Sequence, residues 1–132
     1  MKVTADTNVL IRAAVQDHPK QAAAAAKILA ESSLVAIPLP ALCEYVWVLR
    51  RGYSMSVEDV SDSLQRLMRC ENVVLNRAAV EAGLSLLAAG GDFADGVIAH
   101  EGASSGAESF VSFDKKAVSI LQAKGTPAEL LS

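Results

Sequence analysis

Short apolar runs alternate with helical stretches along the whole chain, and no hairpin signal such as Asn-Gly joins any two of them. Strands separated by helical stretches and not joined by tight turns imply a parallel sheet, because a parallel pair needs a long crossover, usually a helix. The strand candidates are 1–5, 34–37, 72–75 and 109–113, with 126–131 as a short edge strand. Helical spacing and propensity predict helices over 9–15, 21–31, 41–51, 77–89, 92–104 and 115–124. A further helix is capped by Ser56 and carries Val57, Val60, Leu64, Leu67 and Met68 on one face. Pro38 and Pro40 close one strand and open the next helix, while Gly52, Gly90-Gly91 and Gly125 close helices. The expected architecture is α/β, a parallel sheet with helices on both faces, in a single domain over 1–132 with no repeat or linker.

Composition narrows what such a domain does. The chain is 52% hydrophobic, above the usual soluble range of about 45–50%, so a well-filled core is expected. No apolar run approaches the roughly 18 residues needed to span a bilayer. The first five residues read as a strand rather than a signal peptide, which makes the cytoplasm the expected compartment. Cys43 and Cys70 lie in apolar helical patterns and are expected as reduced, buried thiols. A net charge of −3 argues against a broad basic face gripping nucleic acid. It leaves room for a nuclease that holds divalent cations with its own carboxylates. Local basic groups, Arg50-Arg51, Arg66, Arg69 and Lys115-Lys116, suit either contact with a nucleic-acid backbone or ordinary solvated helix faces.

The acids fall in a pattern. In an open parallel sheet, ligands bind outside the carboxyl ends of the strands. Asp6 follows the first strand, Asp114 follows the fourth, and Glu44 lies in the first turns of the helix after the second. Asp95 lies in the first turn of the helix before the fourth strand. Four carboxylates are therefore expected in one cleft. Each has a plainer explanation too: Asp6 and Asp114 suit helix N-caps, and Asp92 with Asp95 resembles a capping box. Glu44 sits in Ala41-Leu42-Cys43-Glu44-Tyr45-Val46-Trp47-Val48-Leu49, apolar almost all round, where a buried lone carboxylate is costly without a cation. Clustered carboxylates repel one another, and Mg²⁺ or Mn²⁺, hard cations with a preference for oxygen, relieves the repulsion. Zinc is not expected, since His18, His100, Cys43 and Cys70 show no ligand spacing.

Four segments carry a resemblance. Val3-Thr4-Ala5-Asp6-Thr7-Asn8-Val9-Leu10 resembles the opening of PIN domains, and Leu42-Cys43-Glu44-Tyr45-Val46-Trp47-Val48-Leu49 the segment with the second acid. Asp92-Phe93-Ala94-Asp95-Gly96-Val97-Ile98-Ala99 is similar to the third signature. Ser112-Phe113-Asp114-Lys115-Lys116 is similar to the fourth, usually written with Thr before Phe-Asp. Chain length and the compact helical insert look most like VapC-type toxins of type II toxin–antitoxin pairs, including the FitB-like branch. The resemblance implies a three-layer α/β/α sandwich around a central, mostly parallel sheet of four to five strands. It implies Mg²⁺- or Mn²⁺-dependent cleavage of RNA, of the tRNA or rRNA class, with Asp6, Glu44, Asp95 and Asp114 as catalytic metal ligands. It also implies a cognate antitoxin partner and a homodimer. Thr7 or Asn8 is a candidate to orient a carboxylate or the water, and Asp92 an outer-shell acid. Gly96 stands where Ala is more usual, and Ser112 where Thr is.

Other readings fit less well. A catalytically silent PIN domain acting as a protein- or RNA-binding module is the alternative, although such a binder has no reason to keep the four acids. A phospho-acceptor receiver domain wants an acid after a central strand, and 72–76 offers none. A haloacid dehalogenase-type phosphatase wants Asp-x-Asp where Asp6-Thr7-Asn8 stands. No glycine pattern matches a P-loop or a dinucleotide site.

Overall fold

Every helix and strand anticipated from the sequence is present, with ends shifted by a few residues, in a computed structural model that describes Met1–Ser132. The chain forms two units, Met1–Asn76 and Arg77–Ser132. The first contains β1 (Lys2–Thr4), α1 (Thr7–Val15), α2 (Pro19–Glu31), β2 (Leu34–Ala36) and α3 (Leu39–Trp47). A π-helical turn, Val48–Gly52, continues α3, and α4 (Val57–Arg69) and β3 (Val73–Val74) complete the unit. The second contains α5 (Arg77–Ala88), α6 (Phe93–Ser104), β4 (Phe110–Ser112), α7 (Lys115–Ala123) and β5 (Ala128–Leu130).

All strand pairs are parallel, as the missing hairpin signals imply. In the first unit the order is β1-β2-β3, with Val3 opposite Val35 and Val35 opposite Val73. In the second, β4 pairs with β5, with Val111 opposite Glu129. The expectation of one central sheet of four to five strands is corrected here: the strands divide into a set of three and a set of two. The strands are only two or three residues long, so each ladder rests on few hydrogen bonds and the helices supply most of the buried surface.

Helical periodicity decides which side chains those helices bury. In the first unit, Leu10, Ile11, Val35, Ile37, Leu42, Tyr45, Leu49, Val60 and Leu64 are nearly inaccessible. The Tyr45 hydroxyl is hydrogen-bonded to Ser63. Burial pushes the phenol pKa up, against the opposing pull of that bond and of the Arg66 charge. Leu10, Tyr45 and Val60 are therefore core, while Ile28, Leu29 and Val57 are half-buried. Cys70 departs from expectation. It is exposed at the C-terminal end of α4, while Cys43 is half-buried, and no disulfide forms.

In the second unit α5 and α6 pack at unusually close range, and glycine makes this possible. A methyl group added to Gly96 would lie 2.5 Å from the Ala82 carbonyl oxygen and 2.8 Å from the Gly83 Cα. The Phe93 ring covers Gly83 in the same way. Gly96 is thus the residue that the helix crossing demands, rather than a neutral exchange for alanine. Gly96→Ala is expected to lower stability by about 1–3 kcal/mol, the usual cost of overpacking. Gly102→Ala, where the nearest atom is 3.9 Å away, should leave stability unchanged or raise it by up to about 1 kcal/mol. Urea denaturation of the two variants checks both, and equal behaviour would remove the close-packing argument.

Candidate active site

A helix that follows a strand begins with backbone N–H groups that have no partner within the helix. Asp6 and Asp114 meet that need, each with a single oxygen. The Val9 amide donates to Asp6 Oδ1 at 3.1 Å. The Lys116 and Ala117 amides donate to Asp114 Oδ1 at 3.0 and 3.1 Å. Both acids are exposed, and in both the cap occupies Oδ1 only. The N-cap reading of these residues is therefore correct, and it leaves Oδ2 of each outside the capping bonds.

Glu44 is placed differently from its expected setting. It is exposed, because α3 buries Leu42, Tyr45 and Val46 on one side and turns Glu44 and Trp47 to the other. An exposed Glu44 keeps its water, so burial does not oblige it to find a cation, contrary to the expectation from its apolar surroundings. Its position at the carboxyl edge remains, since α3 starts at Leu39, just past the end of β2 at Ala36, whose carbonyl accepts the Ala5 amide at 3.0 Å beside the end of β1. The helices that carry Asp6 and Glu44, α1 and α3, pack on each other. Thr7 is buried, whereas Asn8 is exposed and shares with Asp6 the lining of a groove of about 520 Å³ between α1 and α2.

The second unit gathers acids more tightly. Asp92 occupies the N-cap position of α6, yet its side chain accepts no capping hydrogen bond. The capping-box reading of Asp92 and Asp95 therefore fails. Asp95 is half-buried in the first turn, with no salt bridge or hydrogen-bond partner for its carboxylate. Its pKa is raised first by burial, then by the charges of Asp92 and Asp114. Asp92, Asp95 and Asp114 thus form one electrostatic group. Ser112 belongs to it, because its hydroxyl accepts the Asp114 amide at 2.9 Å and fixes the turn between β4 and α7. A Thr hydroxyl would serve equally, which accounts for Ser standing at this point. Neither unit by itself presents three His, Cys, Asp or Glu side chains grouped so as to hold a metal ion. His18 caps α2 through Nδ1, which accepts from the Gln21 amide at 3.3 Å.

Parallel strands that alternate with helices, with an acid directly after β1 in the first unit and after β4 in the second, define an α/β class of protein. The chain matches the PIN domain family over residues 3–120 and belongs to it. PIN domains are in general nucleases that use divalent metals and bind nucleic acid. No curated protein sequence matches the chain. No helix is long and apolar enough to cross a membrane.

The raised pKa of Asp95 has a stability consequence. The folded protein binds this proton more tightly than the unfolded chain, so the group favours folding at acid pH. That contribution is lost as pH rises through the raised value, leaving a destabilising charge at neutral pH. In metal-free buffer Asp95→Asn is therefore expected to melt above wild type at pH 7, with the gap closing as pH falls below the ordinary carboxylate value. Thermal melts across that range check the sign; a variant that melts below wild type at neutral pH would show Asp95 to be stabilising instead.

Proposed function

We propose that this chain is a Mg²⁺- or Mn²⁺-dependent endoribonuclease, working in the cytoplasm as the toxin of a toxin–antitoxin pair and built as one domain over 1–132. The observation that carries the reading is Asp95, an unpaired half-buried carboxylate pressed by Asp92 and Asp114. A fold gains no stability from such a group, so a ligand that rewards it supports its presence. The donor set suits a hard divalent cation, since it offers only carboxylate oxygens and no thiolate or imidazole.

Asp6, Glu44, Asp95 and Asp114 are the proposed ligands, with Asp6 and Asp114 offering the Oδ2 atoms that their caps leave unused. When bound, the cation supplies an acidified water and charge stabilisation at the phosphorus under attack. Asp92 is the proposed outer-shell acid, its charge acting on Asp95. Asn8, exposed beside Asp6, offers an amide to a phosphate oxygen. Lys115 and Lys116, exposed next to Asp114, offer charge to the neighbouring backbone. The toxin assignment, the antitoxin, the homodimer and the tRNA or rRNA substrate rest on the four motifs in their order and on the compact helical insert. The groove at Asp6 has the size and partly apolar lining to suit a segment of an antitoxin.

Purified, partner-free protein incubated with total tRNA and rRNA is expected to give discrete fragments with Mn²⁺ or Mg²⁺ and none with EDTA. Asp6→Asn, Glu44→Gln and Asp95→Asn should each cut cleavage by about 100-fold or more, the scale on which one member of a charge-stabilising set matters. Uncut RNA with every metal, or variants as active as wild type, would overturn the mechanism and leave a binding module.

A further inference from the structure

The chain has a single tryptophan, and it is 62% exposed. Trp47 ends α3 three residues beyond Glu44, and residues three or four apart share a helix face. The opposite face is filled by Leu42, Tyr45, Val46 and Leu49, so Glu44 and Trp47 form the solvent side of this helix. A large indole left in water is poor use of a side chain in a core-forming segment, and it is the only large apolar residue of α3 so placed.

The backbone that follows is held in place. Trp47 leads into the π-helical turn Val48–Gly52, closed by the Tyr53 amide on the Val48 carbonyl at 3.2 Å. The Arg50 guanidinium donates to the Met55 carbonyl at 2.8 Å. The Tyr53 hydroxyl donates to Asp17 Oδ2 at 2.9 Å, and Asp17 is in turn paired with Arg12 at 3.3 Å. The turn is therefore anchored to the α1–α2 junction. Arg51 lies one turn beyond Trp47, exposed and without a salt bridge. Residues 47–52 contain two arginines and no acid, a local positive surface in a chain of net charge −3.

An exposed aromatic ring on a fixed helix end, an arginine one turn away and a carboxylate one turn before it match what a nucleotide offers: a flat base, a phosphate and a scissile bond. Resting on the nuclease reading, we propose that Trp47 is a positioning residue, a stacking platform for an unpaired base next to the phosphate cut at Glu44, with Arg51 on the adjoining phosphate. Charge complementarity favours RNA over a second copy of the chain on this surface.

Because Trp47 is the sole tryptophan, its emission reports on the platform directly. The full chain in EDTA, titrated with a mixed-sequence single-stranded RNA dodecamer, should show saturable quenching, and the same sequence as a blunt duplex should show little. Trp47→Ala is expected to weaken single-strand binding roughly 5- to 150-fold, the range for loss of one base stack, while Trp47→Phe stays within a few-fold of wild type. With metal, Trp47→Ala should raise KM and leave kcat nearly unchanged. Active wild type whose emission ignores RNA, or a Trp47→Ala variant with wild-type KM, would overturn the platform and leave the nuclease reading standing. Quenching by RNA without cleavage under any metal would support the platform and remove the nuclease reading. An emission shift produced by protein concentration alone, with no response to RNA, would overturn the platform and assign the face to a second copy.

Discussion

A parallel strand must hand its chain to a helix, and that helix starts with amide groups that need an acceptor. Here the requirement is met at β1 and β4 by a carboxylate rather than a hydroxyl. A serine would cap as well, but it would bring no second oxygen and no charge to the strand edge. The capping bond fixes the side-chain rotamer, so the remaining oxygen of Asp6 and of Asp114 points from a defined place. In the proposed mechanism, fold and chemistry draw on the same two residues, one oxygen each. That sharing explains why an acid can be a true N-cap and a candidate ligand at once, a choice that residue identity alone leaves open.

Much of the fold was legible because its signals are local. Alternation of apolar runs with helical periodicity, proline at helix starts and glycine at helix ends located every element, and the missing hairpin turns set strand direction. What lay beyond reach depends on contacts far apart in sequence. Division of the strands into sets of three and two is decided by which backbone edges meet, and the individual runs carry no trace of that. Glu44 was misjudged because an apolar window says nothing about which side of a helix finds a core; Tyr45 and Leu49 took the inner side and left Trp47 out. Exposure of Cys70 has the same origin.

At the candidate site, spacing marks acids beside the strand ends, while what each neighbouring side chain does there is set by local geometry that spacing does not show. Asp92 looked like half of a capping box until its side chain proved to cap nothing. Ser112 looked like a mild exchange for threonine and is instead the hydroxyl that fixes the Asp114 turn. Gly96 looked equally mild. It stands next to Asp95 at the start of α6, where an added methyl group would meet the Ala82 carbonyl and the Gly83 Cα of α5.

The π-helical turn after Trp47 has a geometric consequence. Each bond in such a turn spans one residue more than an α-helical bond, so the chain leaves the helix with a different rotational phase from the one it would have had. That offset determines the direction in which Tyr53 leaves the helix and lets its hydroxyl meet Asp17 across thirty-six residues of sequence. The turn therefore works as a phase adjuster between two helices of unrelated registry. Removing one residue from it would rotate the whole of 53–56 relative to α1, even though no residue of the core had changed.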